Sequence, residues 1–236
     1  MLIALGLVIV LPLLPETLAP RASAASAPGA WRRILADPQL RIALVAIFGL
    51  EVAVGSVTGF IKDGLITRAL AEGRDQVGAL RYAAGASGGL FTIFGVIAIA
   101  IMLSRVASRV DHRGPFGISL VGLGALAGAL TLLAVSPTLT VDLIAMVLYG
   151  VGYGLIFPAA AGAVAIASVP GERGRANGAL NLSFDLGMSA GPILGGLLAT
   201  LFVGLTAFAG GLILVVAAAI LLPVVGRRGR GSSGAA

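Results

Sequence analysis

The sequence predicts an all-α membrane protein, and three observations carry that prediction. Of its 236 residues, 58% are hydrophobic and only 11% are charged, with a mean hydropathy of +1.06. Its uncharged runs are long enough to cross a bilayer as helices, and its cations gather in alternate connections between those runs. A water-soluble domain of this length carries charge over most of its surface, so the bilayer is the expected solvent. The absence of cysteine excludes disulfides, thiolate metal sites and cysteine nucleophiles, and the single His112 cannot build an imidazole cluster. No cofactor or metal centre is expected, and the net charge of +6 reports on membrane topology before nucleic-acid binding.

The elements follow from the charge-free runs, since a helical span needs roughly 20 apolar residues to cross about 30 Å of hydrocarbon. Residues 1–18 form an apolar segment ending in Pro15-Glu16-Thr17. It reads as a transmembrane helix, or as a signal peptide with Ala25-Ser26-Ala27 at its cleavage site. No cation precedes it, and cleavage would leave the Arg-rich first connection outside, which favours the helix. Residues 19–40, rich in Ala, Ser, Pro and Arg, read as a cytoplasmic loop. Residues 42–61 make one span broken only by Glu51, and residues 82–104 make another. Residues 114–171, interrupted only by Asp142, make two spans separated at Ser136-Pro137-Thr138. Residues 186–226 contain no ionisable side chain and make two crossings with a turn near Thr200–Gly204.

Short cytoplasmic loops are enriched in Lys and Arg. Arg21, Arg32, Arg33 and Arg41, then Arg105, Arg109 and Arg113, then Arg173 and Arg175, then Arg227, Arg228 and Arg230 all fall on one side of this map. The other side holds Lys62, Arg68, Arg74 and Arg81, diluted by Asp63, Glu72 and Asp75. The expected topology therefore puts the first long loop and the tail, residues 227–236, in the cytoplasm.

An ionisable side chain inside a span costs several kcal/mol unless it is paired, hydrated or neutralised, so each one marks a candidate site. Glu51 falls near the bilayer midplane. Gly55, Thr58, Gly59 and Lys62 follow it at helical spacing, which predicts an acidic, small and polar face lining a cavity. A carboxyl group there suits uptake and release of protons; the competing reading is a structural carboxyl hydrogen-bonded to a neighbouring helix. On a helix over Asn177–Ala199, the polar stripe Asn177, Asn181, Asp185 and Ser189 is expected to face water. A second stripe, Ser183, Gly187, Gly191 and Gly195, suits close approach of another helix. Pro192 predicts a kink in that helix, with or without a moving role. Met146, Tyr149, Tyr153 and Phe157 share a face that reads as a wall for an aromatic or amphipathic substrate, or as ordinary interhelical packing. Asp142 sits at a rim, suited to capping its own helix.

Two stretches carry a family resemblance. Gly174-Arg-Ala-Asn-Gly178, followed by Asp185-Leu-Gly187-Met-Ser-Ala-Gly191-Pro192-Ile-Leu-Gly195-Gly196, resembles the GRAxG and DLGxxxGPxxGG patterns of the eleventh helix in efflux-type members of the major facilitator superfamily. Ser104–Pro115 resembles that family's signature cytoplasmic loop, with Arg109 and Arg113 at its basic positions, but Ser108 stands in place of its aspartate and Asp111 in place of its later glycine. Leu14-Pro15-Glu16-Thr17-Leu18 resembles the end of the sixth helix.

The resemblance implies one preceding transmembrane helix and a C-terminal six-helix half-bundle over residues 41–226, built of two inverted three-helix repeats, 41–135 and 142–226. An alternative alignment makes residues 41–226 an N-terminal half; the preceding apolar segment and the Arg-rich tail favour the first. It further implies proton-coupled efflux of a small molecule by alternating access. Glu51 would be the titrating acid, Asp185 and Asn181 polar contacts, and Tyr149 and Tyr153 the substrate wall. Its implied partners are the bilayer of a bacterial inner membrane, a small-molecule substrate and a missing N-terminal half, with no nucleic acid. The rival reading is a non-transporting helical membrane protein, either a partner subunit or a degenerate half-transporter. An enzyme is not expected.

Overall fold

In a computed structural model, the residues from Trp31 onward belong to one compact unit. The structure describes residues 30–104, 115–168, 172–202 and 206–227. The expected helix at 1–18, most of the first loop, Arg109 and Arg113, and the tail from residue 228 lie outside the described residues.

Seven α-helices are found among the described residues: α1 (Ala30–Ala36), α2 (Pro38–Ala71), α3 (Gln76–Leu103), α4 (Pro115–Val135), α5 (Leu139–Ala167), α6 (Arg173–Leu201) and α7 (Phe208–Arg227). Six of them, α2 to α7, are long and apolar enough to cross a membrane. Local chemistry sets their ends. Asp37 caps α2, its Oδ1 accepting from the amides of Gln39 at 2.7 Å and Leu40 at 3.1 Å, with Pro38 at the first helical position, where an amide would have no partner. Asp75 caps α3 by accepting from the Gly78 amide at 3.1 Å. The turn between α2 and α3 places Gly73 at φ 86°, a left-handed conformation that glycine adopts without steric cost.

The helices pack in two layers. In the front layer α3 packs on α5, α5 on α2, and α2 on α6; behind them α4 packs on α5 and α2, while α7 packs on α2, α4 and α6. Exchanging α2 with α5, α3 with α6 and α4 with α7 turns the α2–α6 contact into α5–α3 and the α2–α7 contact into α5–α4. This is the pairing expected of two three-helix repeats. The helices α2 and α5 are the most enclosed, and the flanking α3 and α6 the least.

Backbone closeness decides the α2–α6 contact. A Cβ on Gly187 would stand 2.5 Å from the Phe48 carbonyl oxygen, one on Gly191 would stand 2.3 Å from that of Val52, and one on Gly195 would stand 2.2 Å from that of Ala207 at the start of α7. Only glycine fits at such separations, and lipid supplies no hydrophobic drive to replace the lost packing. The partner helix reciprocates at Gly55, where a Cβ would lie 2.1 Å from the Met188 carbonyl oxygen. Pro192 has no amide hydrogen to donate to that carbonyl four residues earlier. The Met188 oxygen is thereby free to turn onto α2, where the Gly55 Cα–H faces it.

This corrects the expectation that Gly55 lines a cavity with Glu51. Gly55 is buried beneath Met188 and Pro192, and only Thr58, Gly59 and Lys62 of that face are exposed. A small residue serves a helix contact as well as a cavity, and here the contact takes it.

Gly55→Ala is expected to lower the thermal unfolding midpoint in detergent, with a loss of about 1–3 kcal/mol from overpacking against a backbone atom that cannot swing away. Gly85→Ala, where a Cβ meets nothing within 4 Å, is the control and should leave the midpoint unchanged or raise it slightly. Helicity followed by circular dichroism on heating measures both.

Candidate functional site

The front layer gathers Glu51 of α2, Tyr149 and Tyr153 of α5 and Asp185 of α6 around one region. Asp185 lies close enough to Glu51 for its charge to reach it, and the hydroxyls of Tyr149 and Tyr153 both lie in the field of Glu51. Glu51 is 0% exposed, and neither of its carboxyl oxygens has a hydrogen-bond partner among the described residues. Its position follows from the glycine contact: a Cβ on Gly187 would stand 2.9 Å from the Glu51 Cβ, so the missing side chain at 187 makes room for the acid. The structure thus corrects the picture of Glu51 on an open wet face. The acid is sealed at the α2–α6 seam, with no neighbouring helix hydrogen-bonded to it.

Asp185 is exposed, as are Asn177, Asn181 and Ser189 on the same stripe of α6. The Asn177 amide donates to the Arg173 carbonyl at 3.0 Å, whereas no side-chain hydrogen bond is seen for the exposed Asn181 and Asp185 among the described residues. A buried carboxyl group therefore lies beside an exposed one, across a single helix contact.

The tyrosines of α5 belong to an aromatic cluster shared with α3. Phe94 is its centre, 4.7 Å from the Tyr149 ring and 5.4 Å edge-on to the Tyr153 ring. Tyr153 stacks on Phe157 at 5.5 Å and 6°. Tyr149 is 1% exposed, Tyr153 half-buried and Phe157 37% exposed, so the cluster runs from a packed end to an open one. Gly150 and Gly154 bring α3 this close: a Cβ on either would stand 2.8 Å from the carbonyl oxygen of Phe94 or Ala98 respectively. The sequence reading omitted Phe94 because α3 has no ionisable group in its apolar stretch. The available signal was the pair Phe91 and Phe94, one helical turn apart, whose rings meet edge-on at 6.5 Å.

Asp142 is the third correction. Thr138 is the residue before α5, and Asp142 does not serve merely as a cap; it is 2% exposed and paired with Arg68 from the last turn of α2. Arg68 Nη1 also donates to the Ser136 hydroxyl at 3.4 Å, and that hydroxyl donates to the Thr138 carbonyl at 3.0 Å. The pair joins the last turn of α2 to the first turn of α5, and each charge lies at the helix terminus its sign favours. It borders a cavity of about 330 Å³ lined also by Phe60, Thr67, Leu133 and Thr206. That cavity lies on the opposite side of α2 from Glu51, because Phe60, Ile61, Gly64, Thr67 and Arg68 form a separate face.

Among the described residues no group of three or more His, Cys, Asp or Glu side chains is placed to hold a metal ion. The site offers paired carboxyl groups, phenolic hydroxyls and aromatic faces, which bind, orient and exchange protons. A model of the Major Facilitator Superfamily matches residues 84–235. The chain belongs to the Major Facilitator Superfamily. No curated protein and no solved structure matches it significantly. The all-helical half-bundle is thus that of a multi-pass membrane transporter, and the α3–α5 and α6 parts of the site lie within the matched region.

Asp142→Asn is expected to destabilise this transporter by about 1–3 kcal/mol, less than the roughly 3–5 kcal/mol of a fully buried pair, because Arg68 keeps 27% exposure. Exchanging the charges, as Arg68→Asp with Asp142→Arg, should recover only part of that loss, since each charge then faces the unfavourable helix terminus. Unfolding midpoints of the single and double variants decide it; full recovery would show that helix-end charge contributes nothing.

Proposed function

We propose that the protein is a proton-coupled efflux transporter working by alternating access, and that this chain supplies its C-terminal half. The observation that carries this reading is Glu51, a fully buried acid without a hydrogen-bond partner, set beside the exposed Asp185 and the hydroxyls of Tyr149 and Tyr153. A charged carboxylate there costs several kcal/mol, so its protonation state is tied to whether water or substrate reaches it. Motion that opens the α2–α6 seam hydrates the acid and favours loss of its proton; closure favours the protonated form. Such an element couples proton binding to conformation, because each conformation binds the proton with a different affinity.

Asp185 and Asn181 are the entry side of this path, and Tyr149 and Tyr153 form the wall against which substrate rests. The exposed front layer, with its polar stripe on α6, then closes against an N-terminal half, and the site lies between the halves. The excess of Arg in the first, third and fifth connections and the tail supports a cytoplasmic C-terminus in a plasma membrane. The Gly187, Gly191, Pro192 and Gly195 contact is the surface on which α6 moves against α2.

In everted membrane vesicles expressing the protein and energised by a proton gradient, a transported compound is expected to release protons, read as recovery of fluorescence of a pH-sensitive dye. Glu51→Gln should reduce that release at least tenfold, and Asp185→Asn should reduce it partially. Release by Glu51→Gln equal to that of the unaltered protein would remove Glu51 as the coupling acid.

A further inference from the structure

The cavity beside the Arg68–Asp142 pair is separate from the acid on α2, and its depth in the membrane follows from the helices that frame it. The 21 residues of α4 and the 20 of α7 each rise about 30 Å, enough to cross the hydrocarbon of a bilayer once. Leu133 in the last turn of α4 and Phe208 at the start of α7 therefore stand at one hydrocarbon boundary. Phe60 of α2 meets Phe208 at that level, ring edge to ring face at 6.5 Å. From there α2 runs on for about two more turns to Arg68. The Arg68 side chain leans back toward the start of its helix, and so toward the level of Asp63.

The cavity thus has an apolar floor at the depth of acyl chains and a polar rim at the depth of headgroups. Its lining holds two acids, Asp63 and Asp142, against one base, Arg68. Asp142 is 2% exposed and taken up by Arg68, so an incoming ligand meets the other two. The guanidinium has five N–H groups, of which Asp142 and Ser136 engage two, and 27% of the Arg68 side chain is exposed. Asp63 is exposed, with no ion pair among the described residues. A guanidinium held in place by its own partners favours phosphate or carboxylate oxygens, and a free carboxylate beside it favours an amine. A ligand of net negative charge would leave Asp63 facing a like charge, whereas a zwitterion matches both groups. The volume of about 330 Å³ lies within the roughly 300–1,000 Å³ of small-molecule sites.

We infer that this cavity holds the headgroup of a zwitterionic phospholipid with a free amine, of the phosphatidylethanolamine type. Its phosphate rests on Arg68, its ammonium on Asp63, and its glycerol and first chain carbons on Phe60, Leu133 and Phe208. The charges select the headgroup, and the apolar floor selects a membrane lipid over a soluble phosphodiester. A lipid so placed touches α2, α4 and α7 beside the ion pair that joins α2 to α5. The site does not depend on the coupling role of Glu51, which lies across α2 from it.

The full chain, purified in detergent and offered equal amounts of phosphatidylethanolamine and phosphatidylglycerol with the same acyl chains, is expected to retain the first at least fivefold over the second, read by native mass spectrometry. Gly64 lines the cavity and a Cβ there meets nothing within 4 Å, so Gly64→Leu fills the space without crowding the helices. It should cut retention of phosphatidylethanolamine at least fivefold with helicity by circular dichroism intact. Gly85→Leu adds the same bulk on α3, outside the cavity lining, and should retain lipid as the unaltered protein does. Asp63→Asn, at an exposed position, should bring the two lipids to near parity, because only the amine loses its partner. Soluble glycerophosphoethanolamine should displace the lipid poorly, having no chains to cover Phe60 and Phe208. Equal retention of both lipids by the unaltered protein, full retention by Gly64→Leu, or an undiminished preference in Asp63→Asn would overturn the proposal. Displacement by the soluble phosphodiester at concentrations as low as those of the lipid would overturn it too, since the ligand would then not be drawn from the membrane.

Discussion

The approach of α2 to α6 at backbone distance is the constraint on which the rest depends. In lipid, two apolar helices gain nothing by hiding from solvent, so they hold together through close van der Waals contact and weak Cα–H to carbonyl interactions. Gly55 on one side and Gly187, Gly191 and Gly195 on the other remove the side chains that would hold the axes apart. The same contact decides the chemistry. Gly187 leaves room for the Glu51 side chain, and Asp185, two residues earlier on α6, is brought within its electrostatic reach. Widening the seam by one methyl group would change both the packing and the distance between the acids.

Two buried carboxyl groups show what a membrane protein does with charge when the purpose differs. Asp142 has Arg68, Ser136 accepts a further hydrogen bond from the guanidinium, and the favourable helix ends add to the pair. Glu51 has none of these. An unsatisfied buried polar group costs about 1–3 kcal/mol, and more when charged, and a fold selected for stability alone would match it or replace it. The buried Ser119 hydroxyl and Arg41 Nε are also unmatched among the described residues. The first is neutral, however, and the second belongs to a guanidinium with further donors at a helix start. Glu51 is distinguished by an acidic proton, mid-span depth and a second acid beside it.

The six spans among the described residues were legible because lipid punishes ionised side chains, so uncharged runs outline the helices directly. Their ends were less legible. The span read as 42–61 is α2, Pro38–Ala71, because helical hydrogen bonding continues past Lys62 and Asp63, where water or headgroups take the charges. Candidate residues on one helix were found by their spacing, as with Asn181 and Asp185, or Tyr149 and Tyr153. Relations between helices were not. Arg68 lies 74 positions from Asp142, and read along the chain it is only a cation near a loop. Polarity likewise gave Glu51 a face but not a depth, since the same Glu-to-Gly spacing fits a wet cavity and a dry helix contact equally well.

The internal pseudo-symmetry sharpens the division of labour. The α2–α6 and α5–α3 contacts are equivalents under exchange of the repeats, and both are closed by glycines. Yet one carries two acids and no large aromatic cluster, while the other carries Phe94, Tyr149 and Tyr153 and no acid. Equivalent geometry with opposite chemistry places an acid-bearing seam and an aromatic wall side by side, with α2 and α5 packed against each other between them. Because α2 touches α3, α4, α5, α6 and α7, a displacement of this helix is felt in every contact of the half-bundle. A change at Glu51 therefore acts on the helix best placed to transmit it, and the aromatic wall on α5 is its immediate neighbour.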